Sequence, residues 1–217
     1  MLLLADGRLP AGGYAHSGSL EPAINAGRVR DLDDVSSFAL GRLHTVGMVS
    51  ATFAAAACRA GHRGDGLRLA ELDAALDVRV PSPAARATSR QLGRQLQRTA
   101  STLRPDPRYA LLTRQPHQPL VLGLACAVFD LAPEDAALAV LHETVTGVVG
   151  AAVRLLSLDP VAAYGVLARL AVTVDELSVR AGARCEASVE DLPATAAPLI
   201  DLYAEQHSTQ TARLFAS

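Results

Sequence analysis

Six histidines, 22 acidic residues and three cysteines are the groups in this 217-residue chain that could hold a metal or move a proton. His16, His44, His62, His117, His142 and His207 never stand four residues apart, and no Cys-x-x-Cys occurs. This spacing does not build a closed local zinc site, although a site shared across a dimer axis would leave no local mark. Ser17 adjoins His16, but neighbours in sequence do not make a nucleophile and its base. Asp6 and Glu21 are better read as turn and helix-start carboxylates than as an acid–base pair. No catalytic residue, metal ligand or stably bound cofactor is therefore expected. Cys58, Cys126 and Cys185 lie far apart in mostly apolar surroundings, the pattern of reduced, buried thiols in a cytoplasmic protein.

The richest local chemistry lies between Leu9 and Glu21. Pro10 fixes its own φ and pushes Leu9 towards extended geometry. Gly12 and Gly13 permit positive φ, and Ser17 or Ser19 is placed to cap a helix starting near Leu20, with Glu21 in its first turn. The expectation is a tight turn feeding a short helix, with Tyr14 and His16 beside it. A phosphate loop would need Gly-Lys-Ser/Thr, and a nucleophile elbow Gly-x-Ser-x-Gly; neither occurs. On residues alone, a structural turn is the plainer reading.

The elements that must position these residues read as helices. The chain is 50% hydrophobic but only 4% aromatic and has no Trp, so Ala and Leu must fill the core; both favour helix. Asp31 is placed to cap a long helix running to Gly61, with a bend expected at Gly47. Further helices are expected over Leu67–Val80, from Ser82 and Pro83 to just before Pro105, over Leu120–Leu131, from Pro133 through Leu156, from Asp159 and Pro160 to Gly182, and from about Ala196 to His207. Leu138, Leu141, Val145, Val148, Ala152 and Leu155 form a heptad-like seam, which predicts a central helix or a subunit contact. Gly147 and Gly150 on that helix are expected to admit a close neighbour. No period-two run competes, so the chain reads as all-α: a single domain spanning 1–217, with about eight to ten helices.

Arg86, Arg90, Arg94 and Arg98 share one helix face, either solvated or a docking stripe for carboxylates. The formal net charge of −2 argues against a nucleic-acid partner. The most apolar runs, such as Leu120–Phe129, fall short of the roughly 20 residues that span a bilayer. The expected location is the cytoplasm.

Leu4-Ala5-Asp6, Leu9-Pro10, Gly12-Gly13-Tyr14, His16-Ser17-Gly18 and Leu20-Glu21 resemble the N-terminal signature of the urease accessory protein UreF family. Arg213-Leu214-Phe215-Ala216-Ser217 resembles its C-terminal tail, and Arg-Ala-Thr-Ser-Arg-Gln-Leu-Gly-Arg (86–94) is similar to a central segment. The resemblance implies an all-helical homodimer that binds UreD (also called UreH), recruits or modulates the GTPase UreG, and acts on apo-urease. Nickel is then handled by the assembled complex, with no catalysis by this chain. It further implies a partner-binding set of Tyr14, His16, Ser17, Glu21, Arg154, Arg213, Leu214 and Phe215, in which Tyr14 and Arg213 hold the tail. Arg154 stands where the family usually has Lys, Ser19 where it usually has a second Gly, and Ser208 where it often has Glu. The implied dimer contact is Leu138, Leu141, His142 and Val145. The competing expectation is a helical ligand-binding regulator or enzyme unrelated to urease, with a deep pocket of convergent polar groups and shifted pKa values.

Overall fold

The computed structural model describes residues 3–6, 9–210 and 214–215; Arg213, Ala216 and Ser217 lie outside the described residues. Nine α-helices occur among the described residues, and no strand. They are α1 (Leu20–Asn25), α2 (Leu32–Arg42), α3 (Met48–Arg63), α4 (Gly66–Arg79), α5 (Pro83–Leu103), α6 (Gln118–Val128), α7 (Pro133–Leu156), α8 (Pro160–Gly182) and α9 (Pro198–Thr209). Short 3-10 turns cover Gly13–Ala15 and Pro107–Leu111.

Local chemistry sets most boundaries. Asp31 accepts from the amides of Asp33 and Asp34, Ser82 from Ala85, and Asp159 from Val161, each ahead of its helix. Pro follows Ser82 and Asp159 at the first helical position. The long helix expected after Asp31 is interrupted: α2 and α3 are joined by a π-turn over Leu43–Gly47. Gly47 lies in that turn, and a Cβ there would meet the Arg42 carbonyl at 2.8 Å.

Helices α3, α6 and α7 make the centre, with α8 packed along α7 and α5 along α6. Small residues bring α3 and α6 together. Ala54 to Ala57 are fully buried, and Gly123 lies directly over the Ala54 carbonyl. A Cβ on Gly61 would meet Leu124 Cδ1 at 2.7 Å and Ala127 Cβ at 2.9 Å. Gly147 and Gly150 have nothing within 4 Å of where a Cβ would stand, so they are not the close-approach glycines. The sequence pattern shows that both lie on α7, but it does not show which faces a neighbour.

Helix α7, at 24 residues, is long and apolar enough to cross a bilayer, contrary to the expectation that every apolar run falls short. Its most apolar window is 56% buried inside the protein, against α3, α6 and α8, which is the packing of a core helix. Cys58 and Cys126 are buried as free thiols and Cys185 is half-buried. Burial pushes the Cys126 thiol up to about 12, so it stays protonated.

The arginine stripe on α5 divides in two. Arg90 pairs with Asp73 at 3.1 Å and Asp77 at 2.7 Å on α4, and also donates to the Gln115 carbonyl. Arg86 donates to the carbonyls of Val80 and Pro81. Arg94 and Arg98 are exposed. Behind Arg90, the fully buried His117 donates from Nε2 to Asp77 and accepts at Nδ1 from Ser89, at 3.1 and 3.0 Å. Asp73 accepts from the His117 amide and from Thr113. Two carboxylates, one guanidinium and one imidazole thus tie α4, α5 and the start of α6 together.

Burial, then the nearby Arg90 charge, lower the pKa of His117. The folded state therefore favours neutral imidazole, and the unfolded chain takes up the proton first. Stability should be full above the ordinary value near 6.5 and fall as pH drops through it towards the folded value. Burial and the His207 charge give His16 the same sign, whereas burial raises Glu143 and Asp201 and so opposes the trend. The wild-type Tm should fall between pH 7.5 and 5.5 more steeply than that of His117→Asn. Parallel pH profiles of the two proteins would refute this assignment.

Candidate functional site: the meeting of the chain ends

The Leu9–Glu21 segment turns through positive φ at Gly12 and Gly18, not at Gly13. Gly13 lies close to Glu143 instead: a Cβ there would meet Oε1 at 2.9 Å, and the carboxylate would have to shift. The two serines divide the work at the start of α1. The Ser17 hydroxyl accepts from the Glu21 amide at 3.4 Å, while the Ser19 hydroxyl donates to the Ile200 carbonyl on α9 at 3.2 Å. Ser19 itself has φ +70°, the left-handed region that favours glycine. Ser19→Gly and Ser19→Ala both lose the bond to Ile200, but only Ala keeps the backbone strain. The Gly variant should therefore be about 1 kcal/mol more stable than the Ala variant, as read from urea midpoints. Equal midpoints would refute strain at this position.

Glu21 points away from its own helix, towards the C-terminal segment. Its carboxylate accepts from the amides of Leu214 at 2.8 Å and Phe215 at 3.0 Å. Phe215 is buried, and its carbonyl accepts from His207 Nε2 at 3.1 Å. His207 Nε2 also lies 3.8 Å from the Glu21 carboxylate. On the opposite side, the Arg154 guanidinium sits 4.2 Å from the centre of the Phe215 ring. The same guanidinium donates to the Tyr14 carbonyl at 3.2 Å, and its Nε donates to Gly150 on its own helix. Three helices, α1, α7 and α9, thus grip one short stretch of tail, and the N-terminal turn holds the α7 arginine that does so.

Of the partner-binding residues expected from the sequence, Glu21, Arg154 and Phe215 touch one another or the same stretch of tail, and Leu214 donates its amide to Glu21. Ser17 caps the helix that carries Glu21. Tyr14 contributes its carbonyl, and its side chain is 65% exposed beside the clamp. His16 is half-buried on a cavity next to it. Arg213, and with it the expected Tyr14–Arg213 contact, lies outside the described residues. In the expected dimer set, Leu141 and Val145 are 0% and 1% exposed inside this protomer's own core. Leu138 and His142 are half-buried.

The residues that the sequence did not single out line the adjoining cavity, which is partly open and has a volume of about 540 Å³. Arg42, Glu143, Gln118, Ser89 and Asp201 are on its wall with His16 and His207. The Glu143 carboxylate faces this space, accepts from Gln118 Nε2 at 3.0 Å, and has its pKa raised by burial. Among the described residues no group of three or more His, Cys, Asp or Glu side chains is arranged to hold a metal ion.

Comparison with known proteins decides the family. The UreF family profile matches residues 29–171. A urease accessory protein UreF of Mycobacterium sp. (strain JLS) is 40% identical over 217 residues, covering all of this chain and 97% of its own length. The chain belongs to the UreF family. Urease accessory protein UreF of Mycolicibacterium vanbaalenii and of Mycobacterium tuberculosis H37Rv are 38% and 39% identical, again over the full chain. UreF proteins are accessory proteins, not enzymes, which places this chain in urease maturation. That overturns the expectation of an enzyme or regulator unrelated to urease. The match to relatives runs through both ends of the chain, whereas the profile runs from just before α2 into α8.

Proposed function

We propose that this chain is an adaptor in urease maturation. It binds a UreD/UreH-type protein and recruits or modulates the GTPase UreG, and the assembly inserts nickel into apo-urease. The chain works in the cytoplasm as a homodimer and binds no cofactor stably; nickel is cargo of the whole complex. The observation that supports this reading best is the clamped tail. Glu21, His207 and Arg154 hold Leu214 and Phe215 beside the exposed Tyr14, so both ends of the chain present one composite surface. Such a surface suits another polypeptide, since a chain end is ordered only when it is tied down.

The test is reconstitution. Apo-urease, a UreD-type protein, UreG, GTP and nickel should yield active urease only when this chain is added. A version truncated after Gln210 should neither co-purify with the UreD-type protein nor support activation. Full activation without the chain, or an intact complex after truncation, would refute the adaptor reading.

A further inference from the structure

Arg42 ends α2 and faces the cavity beside the N-terminal turn. Its guanidinium lies against Gly18, where a Cβ would stand 3.2 Å from both Cζ and Nη2. Nη1 donates to the Gly18 carbonyl at 2.7 Å. Nε is buried without a hydrogen-bond partner. A guanidinium carries five N–H donors, and the Gly18 carbonyl is the one protein acceptor bonded to this one among the described residues. Arg90 and Arg108, by contrast, have carboxylates beside them, Asp73 and Asp77 for the first and Asp106 for the second. Around Arg42 only burial acts, pulling its pKa down to about 10 with no offsetting charge, so it remains a cation at neutral pH.

A desolvated cation without a counter-ion is costly, and a planar guanidinium is the side chain best shaped to hold an oxyanion through two parallel hydrogen bonds. The carboxylates that share the cavity wall, Glu143 on α7 and Asp201 on α9, form no ion pair with Arg42; Glu143 is engaged by Gln118. Ser17, Ser19, Ser50 and His16 also line the cavity. The volume, about 540 Å³, falls in the range of small-molecule sites.

We propose that the Arg42 end of this cavity is a binding site for a small oxyanion, a phosphate or a carboxylate. The site is independent of the clamped tail and of the adaptor role.

The full chain is titrated with sodium phosphate and with sodium malonate, against sodium chloride at matched ionic strength, by calorimetry and thermal shift. Phosphate, malonate or both should bind saturably and raise the Tm beyond the chloride control. Binding of phosphate alone identifies a phosphoryl ligand, and binding of malonate alone a carboxylate. Arg42→Met should weaken that binding at least about tenfold, whereas Arg94→Met, on the exposed part of α5, should leave it unchanged. Because Arg42→Met also loses the bond to Gly18, the wild-type protein supplies a second readout: the Arg42 Nε–Hε resonance should shift with the same midpoint. A response no greater than that to chloride, equal binding by Arg42→Met, or an unmoved Arg42 resonance at saturation would overturn the site.

Discussion

Gly123→Ala is expected to destabilise the protein strongly. The new Cβ would be driven into the Ala54 carbonyl and against the Ala57 methyl, at the crossing of α3 and α6. Backbone cannot rotate away as a long side chain can, so the two helices must separate. Overpacking of this kind costs about 3 kcal/mol, which for a chain of this length lowers the Tm by roughly 6–12 °C. Gly147→Ala is the matched control. It adds the same methyl to a helix interior with nothing within 4 Å and should stabilise by about 1 kcal/mol through helix propensity. Thermal unfolding of the two variants beside wild type decides the matter. An unchanged Tm in Gly123→Ala would mean that the α3–α6 contact is not the tight crossing described.

Glu21→Ala is expected to release the tail while leaving the helical core folded. Two backbone amides lose a buried carboxylate acceptor, and hydrogen bonds to a charged group contribute about 1.5–3 kcal/mol each. Amide exchange at Phe215 should accelerate by roughly two orders of magnitude or more, and the far-ultraviolet circular dichroism should stay helical. Glu21→Gln keeps one acceptor oxygen and should fall between the two. If the tail surface is the docking face, capture of a UreD-type protein should weaken in the same order, Ala more than Gln. Unchanged exchange at Phe215 in Glu21→Ala would show that the carboxylate does not anchor the tail.

Local chemistry was legible in the sequence; long-range pairing was not. The caps at Asp31, Ser82 and Asp159 could be read because a cap depends on two or three consecutive residues, and the structure forms all three. The heptad-like seam on α7 was legible as buried, but not as buried in its own protomer, since periodicity does not name the neighbour. Glu21 had a sufficient local explanation at the start of a helix, and its bond to an amide 193 residues away lies beyond any local pattern. His117 looked like one polar residue in a proline-rich stretch. Its role depends on Asp77 from α4 and Ser89 from α5, which only the fold brings together. Arg42 carried no signal at all, because what distinguishes it is the lack of a carboxylate beside it among the described residues.

The π-turn at Leu43–Gly47 makes the geometry around Arg42 sensitive to chain length. Such a turn is an α-helix with one residue too many. Deleting a single residue there would let α2 and α3 merge into one uninterrupted helix and swing everything ahead of the deletion by roughly 100° about its axis. Arg42 would then turn away from the part of the cavity wall built by α7 and α9, and α2 would offer the core a different side. The surplus residue is what allows two helices with unrelated phases to share one rod.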